Sequence, residues 1–261
     1  MLKRELAPLD AKVWEEIDNR AVQVLKSYLS ARKVIKVNGP KGWDYTSISD
    51  GRLNEINVNE NNISYGTYSI KPLVESRIEF SLNRWELDNF LRGAKDIDLK
   101  PLEEAVKAIA IFEENAIYNG LEKADIKGLT EEASVVIPFG NTESEILDNL
   151  SEGVLRLNKR FVQGPFTLIV GEEAYKLINS KTSGYPLVKR IENITGKNIV
   201  LSHALKGALL LPFDHDDLEF TIGNDFSIGY QLSDNKEVRF FVTESFAFRI
   251  LDNDIIVKYN L

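Results

Sequence analysis

The two histidines are the residues best placed to do chemistry, because each has hydroxyl or acidic neighbours. His203 follows a serine, and His215 belongs to the run Asp-His-Asp-Asp at residues 214–217. Carboxylates and an imidazole are suitable donors for a hard or borderline metal ion. Adjacent residues of a turn cannot all point at one ion, however, and no acid–histidine pair at helical spacing joins them. The sequence therefore predicts a solvent-exposed turn here and no metal site.

Four glutamates, Glu103, Glu104, Glu113 and Glu114, lie in one helical stretch and raise the question of a carboxylate diiron centre. Such centres also use Glu-x-x-His pairs, which this sequence lacks, so we expect the four side chains on solvated helix faces. The nucleophile elbow G-x-S-x-G and the two glycine-rich phosphate-binding motifs are also absent. With no cysteine in the chain, thiolate catalysis, disulfides and cysteine-bound metals are excluded. We assign no catalytic residue.

The charge distribution restricts the partners of the chain. A net charge of -8 over 261 residues has the wrong sign for a generic nucleic-acid binder. Residues 1–41 nevertheless carry nine basic and five acidic side chains, which is typical either of a solvated helix face or of a docking surface for an acidic partner. No run of about 18 apolar residues occurs, and the first ten residues lack a signal-peptide core. We expect a cytoplasmic protein that binds neither nucleic acid nor membrane.

An amphipathic helix near the N-terminus must position any docking surface in that region. Asp10 is a suitable N-cap, and the apolar spacing predicts a helix from there to about Val34. Its apolar stripe is Trp14, Ile17, Ala21, Val24, Leu25, Tyr28 and Leu29. Such a stripe packs on its own domain, and a groove beside it can also receive a partner.

A polar stretch at residues 45–70 follows a Gly-Pro break. Residues 55–58 and 63–68 alternate like two strands around the turn Asn-Glu-Asn-Asn at 59–62. This long hairpin has too few apolar residues for a core of its own, and an isolated hairpin is marginal in water. From the residues alone, it lies either on its own domain or on a neighbouring subunit.

The remaining pattern is mixed. Residues 98–120 form the strongest predicted helix and the expected spine of the fold, and Thr142 with Glu145 has the spacing of a capping box. Further strands are predicted at 77–82, 135–137, 166–170, 198–202, 208–211, 218–222, 226–231, 238–243, 246–251 and 255–259. The sequence thus predicts an α+β chain without internal repeats or a separating linker.

Several segments of the chain resemble the encapsulins, also called linocin-like shell proteins, which build bacterial and archaeal nanocompartments. They follow the order of that family along nearly the whole chain: Leu6-Ala7-Pro8-Leu9 with Trp14; Glu16-Ile17-Asp18-Asn19-Arg20-Ala21; Gly39-Pro40 with Gly42-Trp43; Trp85-Glu86-Leu87-Asp88-Asn89; Gly164-Pro165-Phe166-Thr167-Leu168; Tyr185-Pro186-Leu187; Ser227-Ile228-Gly229-Tyr230; and Phe241-Val242-Thr243-Glu244-Ser245-Phe246. Each segment is weak alone, and their combination is highly specific.

The resemblance implies the phage major-capsid fold of the Hong Kong 97 type. In this expectation the 261 residues form one shell protomer, with an N-terminal helix and arm at 1–44 and an extended-loop hairpin at 45–72. The peripheral domain takes mainly 73–134 and 214–261, and the axial domain mainly 135–213. The hairpin would then reach across to a neighbouring subunit.

The resemblance also implies a structural function. Family shells are not enzymes; they self-assemble into closed icosahedral containers around a cargo enzyme, held by a peptide at the cargo's C-terminus. A ferritin-like iron oxidase or a dye-decolourising peroxidase is the expected cargo, for iron storage or oxidative stress defence. We expect the smallest icosahedral shell, with sixty copies. The alternatives are a related phage or prophage capsid protein that packages DNA, and a free cytosolic enzyme of small oligomeric state.

Three groups of site residues follow from the resemblance. Leu25, Tyr28, Leu29 and Arg32 are expected to line the cargo-docking surface on the inner wall, unless Leu25 and Leu29 are buried within the subunit. Arg77 and Trp85 match positions where some shells bind flavin, although no cofactor is required, and Trp85 is equally suited to fill a core or interface. The expected pore loop contains Lys181, Thr182, Ser183, Gly184 and Tyr185.

Overall fold

A computed structural model describes residues 1–59, 61–180 and 184–261. Within these ranges the α-helices are α1 (Ala11–Tyr28), α2 (Arg84–Leu91), α3 (Lys100–Asn119), α4 (Leu129–Glu132), α5 (Glu143–Lys159), α6 (Glu172–Ser180) and α7 (Leu187–Thr195). Short 3-10 turns lie at Arg4–Leu6, Ala31–Lys33 and Glu122–Ala124. The strands are β1 (Lys36–Asn38), β2 (Ser47–Leu53), β3 (Asn57–Val58), β4 (Ser64–Tyr65), β5 (Tyr68–Pro72), β6 (Val74–Asn83), β7 (Val135–Pro138), β8 (Phe166–Val170), β9 (Val200–Leu201), β10 (Ala208–Pro212), β11 (Leu218–Ile222), β12 (Ser227–Ser233), β13 (Glu237–Ile250) and β14 (Val257–Asn260). The predicted α+β class is confirmed.

The first sheet is built around the long strand β13, which pairs antiparallel with β6, β11 and β12, while β1 pairs parallel with β11. Helices α1 and α3 pack against it, and Trp14 meets Phe240 edge to face, with ring centroids 5.4 Å apart. Two separate strands were expected at 238–243 and 246–251, and this is wrong. The polar pair Glu244 and Ser245 between them does not form a turn, because Glu244 is buried and pairs in register with β6.

The second sheet has the strand order β7, β14, β10, β8, β9. Its central strands β8 and β10 are buried along their whole length, and α5, α6 and α7 cover them. The capping box expected for α5 is confirmed: Thr142 accepts a hydrogen bond from the N–H of Glu145, whose carboxylate accepts one from the N–H of Thr142. This box satisfies donors that the first turn of a helix leaves without partners.

The division into peripheral and axial domains refers to positions in an assembled shell and stays a prediction. Residues 73–134 and 214–250 contribute β6, β11, β12 and β13 to the first sheet. Strand β14, from the range assigned mainly to the peripheral domain, lies in the second sheet between β7 and β10. Strand β14 therefore links the range assigned mainly to the peripheral domain with the sheet formed by the range assigned mainly to the axial domain.

The N-terminal helix ends earlier than its apolar spacing indicates. Asp10 caps α1 as expected, accepting a hydrogen bond from the N–H of Lys12. The helix stops at Tyr28 and not near Val34, where the apolar spacing had placed its end. The reason is that the backbone N–H groups of Ser30 and Ala31 donate to the carboxylate of Glu114, with donor–acceptor distances of 2.9 Å in both cases. A side chain on α3 thus takes the donors that would have continued the helix.

The hairpin of residues 45–72 projects from the first sheet. Its base is held by buried Ile48 and by the pair of Arg249 with Asp50, 3.2 Å apart. Beyond the base, the chain is exposed from residue 49 to residue 59. The tip therefore does not pack on its own domain, which was one of the two possibilities left open by the sequence.

No helix in the described ranges is long and apolar enough to cross a membrane.

Candidate functional site

A groove of about 260 Å³ runs beside the N-terminal helix. One wall is the face of α1 that carries Ala21, Val22 and Leu25, and the other comes from α3 and the first sheet. On the sheet side of the groove, Ile228 and Val242 lie next to each other because they are paired in the register of β12 with β13. The full lining is Leu2, Arg4, Asp18, Ala21, Val22, Leu25, Val106, Phe226, Ser227, Ile228 and Val242.

Polar groups lie at one end of this groove. The guanidinium of Arg4 pairs with the carboxylate of Asp18 at 2.7 Å and lies 4.0 Å above the ring of Trp14. The carbonyl of Leu2 accepts a hydrogen bond from the N–H of Tyr230 at 2.8 Å, which fixes the first residues against β12. An apolar trough with a few fixed polar groups is the usual form of a binding site for a short segment or a small ligand.

Of the four residues expected to line a docking surface, Leu25 lies in the groove. Tyr28 faces elsewhere: its ring is 5.1 Å from that of His203, and the ammonium group of Lys107 lies 5.3 Å from its centroid. Leu29 is half-buried at the C-cap of α1. The docking role of these residues stays a prediction, and the lining that the sequence did not indicate comes from Val22, Phe226 and Ile228.

Arg32, the fourth of these residues, is engaged inside the chain. Its guanidinium reaches Glu113 at 2.9 Å, Asp225 at 2.8 Å and Glu244 at 3.2 Å. Glu113 and Glu244 are fully buried. Desolvation, followed by the charge of Glu113, raises the pKa of Glu244 well above its ordinary value. We call this cluster, together with Glu114, the junction, because it joins the N-terminal arm to α3 and the first sheet.

Glu114 has its own set of donors within the junction. In addition to the two backbone N–H groups, the hydroxyl of Ser30 donates to it, and that hydroxyl lies 2.7 Å from the hydroxyl of Tyr118. Burial nevertheless raises the pKa of Glu114 to about 7. The carboxyl group therefore carries a proton at moderately acidic pH, where an exposed glutamate would be ionised.

The expectation that Glu113 and Glu114 lie on solvated faces is wrong. Both glutamates lie on the buried side of this half of α3, whereas Phe112, Asn115 and Asn119 form an exposed face of it. The signal was present in the sequence, since apolar residues surround the two glutamates at positions 109–112 and 116–118. Apolar residues on both sides of the two glutamates indicate a largely buried stretch of helix, and glutamates buried there must be paired.

The structure gives the two flavin candidates different partners. The guanidinium of Arg77, on β6, lies 4.3 Å from the ring of Phe241, and that of Arg92 lies 5.6 Å from the ring of Trp85. Trp85 is 65% exposed, so its ring offers a surface on which a flat ligand can stack. Flavin binding stays a prediction.

Three of the five pore-loop residues, Lys181, Thr182 and Ser183, lie outside the described residues. Gly184 has a positive φ of 77° with open space around its Cα, and Tyr185 is exposed. At the acidic turn, Asp216 pairs with Lys36, and the N–H of Asp217 donates to the ring of His215 at 3.2 Å. Among the described residues, no group of three or more acidic or histidine side chains is arranged to hold a metal ion.

The hairpin is a second candidate surface. Seven large apolar side chains are exposed along it: Leu53, Ile56, Val58, Ile63, Tyr65, Tyr68 and Ile70. So many exposed apolar side chains within one short segment indicate an interaction site. Edge strands left open in a two-stranded ribbon can also pair with another chain.

Comparisons with known proteins show which family this chain is similar to. The model of a family described as "Encapsulating protein for peroxidase" matches residues 1–247. A type 1 encapsulin shell protein of Rhodospirillum rubrum is 33% identical over 265 residues, covering 98% of this chain and 95% of the relative.

Solved structures extend the similarity to the fold. The virus-like particle of Pyrococcus furiosus has a TM-score of 0.69 at 18% identity, covering 94% of this chain and 98% of that one. The capsid of the phage XM1 has a TM-score of 0.57 at 12% identity, covering 88% and 91%. The expected Hong Kong 97-type capsid fold is therefore confirmed.

Proposed function

Since the chain belongs to the encapsulating-protein family and is similar along 98% of its length to a type 1 encapsulin shell protein, we propose that it encloses a cargo enzyme. A family member of this kind has a structural role, and many copies assemble into a capsid-like compartment. The proposed compartment is the smallest closed icosahedral shell, with sixty copies. The cargo is a ferritin-like iron oxidase or a dye-decolourising peroxidase, and the shell serves iron storage or oxidative stress defence.

The groove beside α1 is the observation that carries this proposal. The cargo's C-terminal peptide would place apolar side chains between Leu25 and Ile228, and its polar groups would meet Arg4 and Asp18 at the rim. Apolar anchors in a groove supply affinity, and a partly exposed ion pair at its end contributes mainly to orientation. Binding of many cargo copies within one shell then adds avidity.

The hairpin supports the closed-shell part of the proposal. Its exposed apolar side chains lie beyond the base at Ile48, where they are available to a neighbouring subunit. Shells held by many modest contacts stay closed through the number of those contacts. The cytoplasmic location and the absence of nucleic acid stay predictions from the sequence.

Cargo loading tests the function directly. The shell chain is co-expressed with a fluorescent protein that ends in the C-terminal segment of the candidate cargo encoded beside the shell gene. Size-exclusion chromatography and negative-stain microscopy should reveal hollow particles of megadalton mass that carry the fluorescence. Particles that instead hold nuclease-protected DNA would favour the phage-capsid alternative, and a chain that remains near its monomer mass of 29.6 kDa would contradict the shell.

A groove variant locates the docking site. Leu25→Glu places a charge against the apolar wall and should lower the fluorescence per shell at least tenfold. Leu155→Glu is the matched control, because Leu155 is an exposed helical leucine on α5 and does not line the groove. Equal loading of both variants would place the cargo peptide elsewhere.

A further inference from the structure

The end of α5 has an unusual residue at a position that normally requires glycine. The N–H of Val162 donates to the carbonyl of Leu157 at 3.1 Å, and the N–H of Phe161 donates to the carbonyl of Asn158 at 3.0 Å. These two bonds, together with the buried side chains of Leu157 and Val162, define a Schellman motif. Its central residue, Phe161, has a φ of 65°.

Phenylalanine is strained in this conformation. In the left-handed region the Cβ atom approaches the following carbonyl oxygen, a clash that glycine does not have. Three other helices are followed by glycines with positive φ: Gly93 after α2, Gly120 after α3 and Gly196 after α7. The chain therefore has an ordinary way to end a helix, and α5 departs from it.

The side chain of Phe161 is also the most exposed large apolar side chain of the described residues, at 95%, followed by Met1 and Tyr68 at 72%. Two unfavourable features thus coincide at one residue, the backbone conformation and the exposed ring. The Schellman hydrogen bonds hold the backbone conformation, but the exposed ring is not covered by any contact within the described part of the chain. Strain of this kind is retained where a residue has a role in recognition.

The charges near Phe161 do not decide its partner. Three basic side chains lie in the last turn of α5 and at its C-cap, Arg156, Lys159 and Arg160, and Arg156 pairs with Glu152 of the same helix at 2.7 Å. Arg160 pairs with Asp254 at 2.8 Å, which holds it beside the turn before β14. Two of the three basic charges are thus paired within the chain. Because many copies of the chain assemble into one compartment, the surface available to an exposed aromatic ring is that of a second copy.

We propose that Phe161 is an assembly contact, a rigid aromatic anchor that inserts into an apolar recess on a second copy of this chain. The proposal rests on the assembly of the chain into a shell. The Schellman bonds fix the backbone of Phe161 before assembly, with its side chain exposed, so little backbone freedom is lost when the contact forms. An aromatic residue in a fully desolvated pocket, surrounded by charged contacts, is the usual composition of an interface hot spot.

The absence of cysteine from the chain makes a direct test simple. Phe161→Cys provides a single thiol, whose reaction rate with a maleimide is measured in cargo-free shells and in subunits dissociated by denaturant. We expect the rate in the shells to be at least tenfold lower. If the thiol in intact cargo-free shells reacts as fast as in dissociated subunits, the proposal is overturned, while the shell itself remains established. Protection that arises only in cargo-loaded shells would also overturn it, because the cargo would then cover the residue.

Phe161→Gly gives a second test, read from the guanidinium midpoint of shell dissociation. This midpoint should change in opposite directions depending on whether the ring contacts a second copy or contacts nothing. Glycine removes the backbone strain, so a variant with no lost contact should resist guanidinium at least as well as the wild-type shell. If the ring anchors a second copy, the midpoint of shell dissociation, followed by light scattering, should fall despite the relieved strain. Phe161→Leu keeps an apolar side chain and should fall less. A midpoint at or above the wild-type value for the glycine variant would contradict the contact.

Discussion

The hairpin of residues 45–72 and the junction around Arg32 place their side chains in opposite ways. Along the hairpin, apolar residues such as Ile56 and Tyr68 point into solvent. In the junction, the charged residues Glu113 and Glu244 are fully buried, and Arg32 keeps only 15% of its side chain exposed. Each region reverses the usual preference of its residue types for the interior or the surface.

The two regions differ in where their partners come from. The junction is complete within one chain, since every guanidinium nitrogen of Arg32 has a carboxylate oxygen within 3.2 Å. The hairpin is incomplete within one chain, because its apolar side chains beyond the base have no core to enter. Changes in the junction should therefore act on the subunit, whereas changes in the hairpin should act on the assembly.

Shortening the hairpin should have the largest effect. Replacing residues 54–67 with Asn-Gly keeps the pair of Leu53 with Tyr68 and closes it with a two-residue turn. We expect complete loss of shells by size-exclusion chromatography, because four of the seven exposed apolar side chains are removed together with the reach of the hairpin. Circular dichroism should retain the helical and sheet signal of the subunit. Intact shells from this variant would refute the bridging role of the hairpin.

Removing the central cation should have the next largest effect. Arg32→Met leaves the buried Glu113 without its counter-charge, and breaking a buried ion pair in this way costs about 3–5 kcal/mol. The free energy of unfolding from urea titration measures the loss. Arg156→Met is the matched control, because Arg156 and its partner Glu152 form a partly exposed pair four positions apart on one helix, and such a pair contributes about 0.5 kcal/mol or less. Similar losses in both variants would mean that the junction does not stabilise the subunit.

Local patterns in the sequence predicted helices and their ends better than they predicted the contacts of the junction. The helix of residues 98–120 and the capping box at Thr142 depend on residues at most a few positions apart, and both are present in the structure. The bonds of Arg32 join residues 81 and 193 positions away, at Glu113 and Asp225. No spacing rule within a helix or a strand reaches that far.

The same reason explains the errors at element ends. The apolar stripe continues through Leu29, but α1 stops where Glu114 takes the backbone N–H groups of Ser30 and Ala31. Glu244 and Ser245 are polar in the middle of β13, and the strand continues because Arg32 supplies a partner for the buried carboxylate. In both cases a distant charged side chain decides the local structure. The groove was predicted only through Leu25, since its opposite wall comes from strands more than 200 positions later.

The junction should also make the stability of the subunit depend on pH. The pKa of Glu114 is about 7 in the folded chain, against 4.5 for an unperturbed glutamate. Between these values the folded chain holds a proton that the unfolded chain has lost. The free energy of unfolding should therefore fall as the pH rises from about 4.5 to about 7, by about 3 kcal/mol from this group, and the contribution of Glu114 should level off above pH 7. The raised pKa of Glu244 acts in the same direction.

Urea midpoints measured from pH 5 to pH 8 test this dependence. Glu114→Gln keeps an oxygen that accepts from Ser30 and Ala31 but cannot ionise, so its midpoint should vary less with pH. Glu104→Gln is the matched control, since Glu104 is an exposed glutamate on the same helix, and it should keep the wild-type slope. An unchanged slope in the Glu114 variant would assign the pH dependence to other groups.

The smallest expected effect on the subunit comes from a polar substitution at the tip of the hairpin. Val58 is 62% exposed, so Val58→Asn should change the free energy of unfolding by less than about 0.5 kcal/mol. The same substitution at Val106, which is fully buried beside the groove, should cost about 3 kcal/mol, because an amide enters an apolar core. For Val58→Asn we expect the opposite result at the level of the shell. The guanidinium midpoint of shell dissociation should fall, although the stability of the subunit is unchanged. If Val58→Asn instead destabilises the subunit as much as Val106→Asn does, the tip packs on its own chain, and the contrast between a completed junction and an incomplete hairpin does not hold.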